Sequence, residues 1–132
     1  NESDEEFFNN TVKKALYKGF AMFAWDAEPD SPPRSSLYSK EIPKVQNDYR
    51  GQNSGSWQNK KADKIFENIF KEFDFDKRRE MMSELQLEYS SELPVIPLYL
   101  RAQTSVTPKG IRGYMLNGHK HHSTLNIENW AL

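Results

Sequence analysis

Three carboxylates lie close together in the sequence, in a short loop that follows an apolar run. The loop residues are Asp26, Glu28 and Asp30, and the run before them spans residues 20–25. Ligands of open α/β sheets gather beyond the carboxyl ends of strands, so carboxylates at this place suit the binding of an amine or another cation. The same groups also suit a general acid/base pair, or a solvated turn that binds nothing. The spacing alone leaves these three interpretations open.

Two tryptophans beside polar loop residues form a second set of candidates. Trp25 ends the apolar run, and Trp57 stands in a loop rich in Gly, Ser and Asn, between Asn53 and Asn59. An indole in such a loop either fills a core or forms a stacking wall for a ligand. The sequence favours neither role over the other.

A run of histidines near the C-terminal end, His119, His121 and His122, offers imidazole ligands for a metal ion. It lacks Cys or a carboxylate at metal-site spacing and has Lys120 inside it, so a solvated loop is the favoured interpretation. No metal ion and no cofactor are predicted. Motifs of an activated nucleophile, such as G-x-S-x-G, S-x-x-K, H-E-x-x-H and the P-loop, are also missing. No residue is therefore predicted to be catalytic on the basis of a motif.

The composition excludes several functional classes. The chain has 132 residues with 18 Lys+Arg against 19 Asp+Glu, and the net charge of −1 provides no basic footprint for nucleic acid. Without Cys it has no disulfide, thiolate zinc site or catalytic thiol. Aromatic residues make up 13% beside a hydrophobic share of 36%, which predicts a folded chain. This balance suits a core that is shared with absent residues, or a surface that holds a ligand.

Hydrophobic periodicity predicts the helices that must position these residues. Apolar side chains repeat at helical spacing over residues 5–18, 60–73 and 77–92. Their predicted N-caps, in chain order, are Ser3 or Asp4, Asn59 and Asp76. The last two helices are joined by so short a segment that an αα-hairpin is expected.

The apolar runs between the helices predict strands. Residues 20–25 have the composition of a strand that is buried on both faces, and residues 95–101 read as a further strand. Residues 26–58 are expected to form an ordered loop with aromatic anchors and one helical turn at 33–38, since long structureless loops are uncommon. Helices that alternate with buried strands indicate an α/β fold.

The order of the motifs is more specific than any one of them. The chain presents F-A-M-F-A-W with the acidic loop, then G-Q-N and W-Q-N, then D-K-R-R at 76–79, and last E-L-P-V-I-P-L-Y at 92–99. In this order, from about residue 7 to residue 113, the chain resembles the C-terminal portion of family 5 extracellular solute-binding proteins. These are the oligopeptide- and dipeptide-binding relatives that serve ABC importers.

The resemblance implies a C-terminal fragment of a type II periplasmic-binding-protein-like α/β fold. Residues 1–102 are then part of the second lobe. Residues 103–132 are a crossing segment and a tail that docks on the missing first lobe, so this tail is expected to be the least self-sufficient part. The implied function is non-catalytic binding of a small solute, an oligopeptide above all, for a membrane permease that the full-length protein contacts. The implied location is the periplasm or the outer cell surface, and oligomers are expected only through the exposed fragment surface.

The resemblance also assigns residues to the ligand. Glu28 matches the position whose carboxylate pairs with a peptide α-amino group, and Asp26 or Asp30 can replace it because the loop composition differs. Trp25 is placed beside the cleft and Asn53 near the ligand-side loop. The predicted ligand-binding residues are Trp25, Asp26, Glu28, Asp30, Asn53 and Trp57. Two alternatives remain, a hydrolase that uses Asp26, Glu28 and Asp30, and a protein-interaction module that docks through its aromatic loop.

Overall fold

The structure, a computed structural model, describes residues 3–25, 31–100, 104–116 and 124–132. These residues form two compact units. The first takes the described residues up to 23 together with 32–96, and the second takes 24, 25, 31 and the described residues from 97 to 132. The predicted division at residues 102 and 103 lies outside the described residues and stays a prediction.

A helical hairpin is the centre of the first unit. Helix α3 spans Lys60–Asn68 and continues as the 3-10 turn Ile69–Lys71, and helix α4 spans Phe75–Glu92. The two predicted helices of this region are therefore confirmed. The side chain of Asn59 caps α3 as predicted, because its Oδ1 accepts from the backbone N–H groups of Lys61 and Ala62 at 2.9 and 3.0 Å.

The predicted cap of α4 was wrong by two residues. Asp74 caps the helix, since its carboxylate accepts from the backbone N–H of Lys77 at 3.0 Å. Asp76 instead lies inside the first turn, where it suits the helix dipole and pairs with Arg79 at 3.1 Å. Both aspartates are good caps by residue type, and the earlier one prevails because Phe75 already has helical geometry.

The core of the first unit lies between the hairpin and the chain that precedes it. The members are apolar residues from the segment before α3, from α3 with its 3-10 turn and from α4: Leu37, Tyr38, Trp57, Ala62, Ile65, Phe66, Ile69 and Leu85. Phe73 was predicted to join this face but is 95% exposed, and Phe70 is half exposed. The reason is that α3 ends at Asn68, so the helical period that would turn these rings inward stops there.

The N-terminal helix is shorter than predicted. Helix α1 spans Asp4–Glu6, begins at the predicted cap Ser3, and continues as a wider π-helical segment, Phe7–Val12. The Oγ of Ser3 accepts from the backbone N–H of Glu6 at 3.2 Å. Regular structure ends after Val12, which is buried, and Ala15 has a left-handed backbone with a φ of 52°. The short helix α2, Arg34–Leu37, confirms the helical turn predicted at 33–38.

The two predicted strands do not form within the described residues. Residues 20–25 and 95–100 have no regular structure, and their side chains reach exposures of 92% at Phe20 and 99% at Leu100. A strand needs a neighbour for its backbone N–H and C=O groups, and the described chain supplies none here. The pairing among the described residues is one antiparallel bridge between Arg112 and Ala131. The predicted α/β fold class itself, that of a type II fragment, stays a prediction.

A small group of contacts around this bridge stabilises the C-terminal part of the second unit. The backbone groups of Arg112 and Ala131 exchange hydrogen bonds of 2.8 and 3.1 Å, and the rings of Tyr114 and Trp130 meet edge to face at 5.2 Å. Gly113 has a φ of 78°, and a Cβ there would overlap the carbonyl of Asn129. None of the described residues in 104–116 and 124–132 is fully buried, and the expectation of a weakly self-sufficient tail stays a prediction.

We expect Gly51→Ala to destabilise the first unit by about 3 kcal/mol, because a Cβ at this buried position would overlap the backbone carbonyl of Glu41. Urea unfolding followed by helical circular dichroism measures the loss. Gly55→Ala is the matched control, since the nearest atom to its Cβ is the carbonyl oxygen of Pro94 at 3.7 Å. Equal stability of the two variants would contradict the close approach of the chain at Gly51.

Candidate functional site

The loop 38–57 carries two of the predicted site residues, Asn53 and Trp57, and one side chain holds it closed. Asn53 is 1% exposed. Its Nδ2 donates to the carbonyl oxygens of Tyr38 at 3.0 Å and Trp57 at 2.9 Å, and its Oδ1 accepts from the backbone N–H of Trp57 at 3.1 Å. The amide thus joins both ends of the loop. Asn53 positions the loop, and its contact with a ligand stays a prediction.

Trp57 lies in the core of the first unit and is 8% exposed. Its indole Nε1–H donates to Oε2 of Glu92, near the C-terminal end of α4, at 2.7 Å. A buried indole finds such a partner for its N–H because the unpaired donor would cost free energy. Of the two roles left open by the sequence, the structure favours the core role for this side chain.

A polar cluster joins the start of α3 to the end of α4. We name it the α3 cap cluster, and it contains Trp57, Asn59, Lys61, Glu88 and Glu92. The Nδ2 of Asn59 donates to Oε2 of Glu88 at 2.9 Å and to Oε1 of Glu92 at 2.7 Å. The ammonium of Lys61 lies 3.0 Å from Oε1 of Glu88. Hydrogen bonds from Asn59 and then from Lys61 hold the pKa of Glu88 below its usual range.

Sequence reasoning missed Glu88 and Glu92. Their spacing puts both carboxylates on one side of α4, one turn apart, which the sequence does indicate. It carries no sign that this side meets Asn59, because the meeting depends on how the hairpin closes. The recognised W-Q-N motif is the available clue, since it contains both partners of Glu92, Trp57 and Asn59.

A second polar cluster joins the start of the loop to α3. The backbone N–H and the Oγ of Ser39 donate to the carboxylate of Asp63 at 3.0 and 2.5 Å. The hydroxyl of Tyr38 donates to Oε1 of Glu67 at 2.6 Å, and Nζ of Lys40 lies 2.9 Å from the same oxygen. Hydrogen bonds from Tyr38 and then from Lys40 therefore lower the pKa of Glu67.

Of the remaining predicted site residues, the structure describes Trp25. Trp25 belongs to the second unit and is 55% exposed. Asp26, Glu28 and Asp30 lie outside the described residues, as do His119, His121 and His122. Within the described ranges, no group of three or more His, Cys, Asp or Glu side chains is placed to hold a metal ion. Among the predicted ligand-binding residues, the structure thus shows hydrogen bonds between Asn53 and Trp57.

The chemistry of the described clusters is that of a scaffold. Carboxylates accept from an amide, an indole and a hydroxyl, and these contacts fix loop ends and helix ends. Among the described residues, no helix is both long and apolar enough to cross a membrane. Comparison of the chain with models of protein families, with curated proteins and with solved structures found no match.

Asn53→Ala is expected to destabilise the first unit by about 3 kcal/mol, because it leaves the backbone carbonyl and N–H of Trp57 without their partner and removes one of the two donors to the Tyr38 carbonyl. Urea unfolding measures the change. Asn68→Ala is the control, since the Asn68 amide donates to the Lys64 carbonyl on the exposed side of α3. A loss below about 1 kcal/mol for Asn53→Ala would show that the amide does not hold the loop.

Tyr38→Phe is expected to raise the pKa of Glu67 toward its ordinary value, because the hydroxyl is the largest cause of the lowering. A lowered carboxyl pKa stabilises the folded chain above the pKa of the unfolded chain, and this contribution is lost as pH falls through the folded-state pKa. The variant should therefore lose less stability in acid from this group. Carbon-13 NMR titration of the Glu67 carboxyl measures the shift, and Tyr49→Phe, at a tyrosine that does not contact Glu67, should leave it unchanged.

Proposed function

We propose that this chain is the C-terminal part of a solute-binding component of an ABC importer, with an oligopeptide as the solute. The observation that carries the proposal is the ordered series of motifs from F-A-M-F-A-W to E-L-P-V-I-P-L-Y. Such a protein binds its solute between two lobes and does not turn it over. The importer role places the full-length protein in the periplasm or at the outer cell surface, with a membrane permease as its partner.

Physical support comes from what the motif residues do in the first unit. Gly51 of G-Q-N allows the chain to pass close to the Glu41 carbonyl, and Asn53 of the same motif joins the two ends of the loop. Trp57 and Asn59 of W-Q-N donate hydrogen bonds to Glu92 at the end of α4. Asp63 accepts from Ser39 at the other end of the loop. These positions are separated in the sequence and meet in one hydrogen-bonded framework. A shared framework is a physical reason for these residue types to occur together in this order.

The exposed apolar segments also support the proposal. Phe20 and Met22 in the first run, and Leu98 and Leu100 in the second, are mostly exposed, although the first run has the composition of a strand buried on both faces and the second was predicted as a further strand. A chain that shares its sheet and core with the rest of a larger protein would have such surfaces. Large exposed apolar patches are otherwise rare on soluble monomers.

The other two hypotheses have less support. A hydrolase needs the carboxylates Asp26, Glu28 and Asp30 to act as an acid/base pair, and no second catalytic motif accompanies them in the sequence. A protein-interaction module would also explain the exposed rings, with Phe73 as the most accessible of them. It does not account for the ordered motif series. We therefore place both behind solute binding.

In the proposed binding mode a carboxylate of the acidic loop pairs with the ammonium group of the peptide terminus. Closure of two lobes excludes water, which strengthens this charge-assisted hydrogen bond. The backbone amides of an extended peptide supply the remaining polar contacts, whereas its side chains enter wet and tolerant pockets. Glu28 is the residue proposed for the ammonium, with Asp26 and Asp30 as substitutes.

Titration calorimetry of the full-length protein with a peptide library is expected to show binding without cleavage. Glu28→Gln should weaken the binding of peptides with a free amino terminus about tenfold or more, because a charge-assisted hydrogen bond is lost. The binding of N-acetylated peptides should not change. Glu80→Gln, which removes an exposed carboxylate of α4, is the control and should leave the binding of both kinds of peptide unchanged. Absence of binding to any small solute would refute the proposed function.

A further inference from the structure

Two like charges are held close together in the α3 cap cluster. Glu88 and Glu92 are one turn apart on α4, and an oxygen of each lies within 2.9 Å of the same nitrogen, Nδ2 of Asn59. Like charges at such a distance repel, so the pair depends on the donors around it. Those donors are the Asn59 amide, the Trp57 indole N–H at 2.7 Å from Glu92, and the Lys61 ammonium at 3.0 Å from Glu88.

The groups that face the two carboxylates come from three places. From α3 and its cap come Lys61, which is charged, and Asn59, which is neutral. From the loop 38–57 comes the neutral indole of Trp57. On α4 itself, Glu84 lies one turn before Glu88 and adds a further negative charge. Lys61 is the single cation that contacts the pair among the described residues.

The end of the loop 38–57 therefore depends on the charge of these carboxylates. Glu92 holds the Trp57 side chain, and the Trp57 backbone is what the Asn53 amide binds. A hydrogen bond to an ionised acceptor is about twice as strong as one to a neutral acceptor. Protonation of the pair thus weakens the tie of Trp57 to α4 and, through it, the closure of the loop by Asn53.

We propose that Glu88 and Glu92 form an acid-sensitive clasp, which holds the end of the loop 38–57 to α4 and loosens it when both carboxyl groups are protonated. The clasp is a property of the first unit alone. Its relevance to a ligand rests on the proposed function, because the family resemblance places Asn53 near the ligand-side loop. Under that proposal, acid loosens this side of the site.

The direction of the pH dependence follows from Glu88. Its pKa lies below the ordinary value of about 4.3, owing first to Asn59 and then to Lys61. A group of this kind contributes its stabilisation above the unfolded-state pKa and loses it as pH falls through the folded-state pKa. Because the proposed release requires Glu88 to be protonated, the clasp holds in neutral solution and opens only at a pH below the ordinary pKa of a glutamate carboxyl.

The test uses the chain with Trp25→Phe and Trp130→Phe, so that Trp57 is the sole fluorescent indole. Both replaced residues belong to the second unit. Acrylamide, a neutral quencher, probes the exposure of Trp57 from about pH 7 to about pH 2.5, and circular dichroism follows the helices in the same samples. We expect the quenching constant to rise about threefold at the acid end of this range while the helical signal stays constant.

Two variants in this background isolate the carboxylates. The double variant Glu88→Gln and Glu92→Gln is uncharged at every pH, so its quenching constant should show no step. Glu92→Gln alone removes the charged partner of Trp57 and should flatten the step, which provides a milder variant if the double one does not fold. Glu80→Gln, on the same helix and outside the cluster, should keep the step unchanged.

Three results would overturn the proposal. They are a step that persists in Glu92→Gln, a step that coincides with loss of the helical signal, and the absence of a step in the starting chain. The measurement needs no solute, so its outcome is independent of the calorimetric test of solute binding. A chain that binds no peptide can still have the clasp, and a peptide-binding chain can lack it.

Discussion

The side-chain amide of Asn53 is the interaction on which the first unit depends most. It is buried, and it binds the backbone at Tyr38 and at Trp57, which are the two ends of the loop before α3. An amide has donors and an acceptor in one rigid group, so it can join two chain segments that are not paired as strands. Once the two ends are joined, Tyr38 and Trp57 can both pack on α3 and α4. The core of this unit therefore requires a polar side chain at its edge.

The side-chain hydrogen bonds that join the elements of the first unit lie at the ends of its loop and helices. The Asn59 amide meets α4 at one end of the hairpin core, and Ser39 meets Asp63 where the loop begins to cross α3. Between these points the contacts are apolar, and Phe66 and Ile69 are almost completely buried. Apolar packing is not directional, whereas hydrogen bonds are. The ties thus specify how the loop lies over the hairpin, and the core supplies most of the free energy.

The parts of the fold that the sequence predicted are those with local causes. The helices α3 and α4 follow from apolar periodicity, and the Asn59 cap follows from residue type next to that pattern. The strand predicted at 20–25 did not form in the described residues, because a strand depends on a neighbour that the local sequence cannot specify. For the same reason the sequence indicated Trp57 and Asn53 but not Glu92, whose role arises only when α4 returns beside the start of α3. The end of α3 was misplaced because the Phe70 and Phe73 rings continue the periodicity after the helix has stopped.

The exposed run F-A-M-F-A-W also has a consequence for the behaviour of this chain in solution. It has no charge, no proline and no glycine, and Phe20 is almost completely accessible. Segments of this kind pair readily with copies of themselves through backbone hydrogen bonds and interdigitated side chains. Aggregation should therefore increase with protein concentration more steeply than the net charge alone would suggest. The Lys18 side chain before the run then acts as a gatekeeper, because stacking in register would bring like charges together.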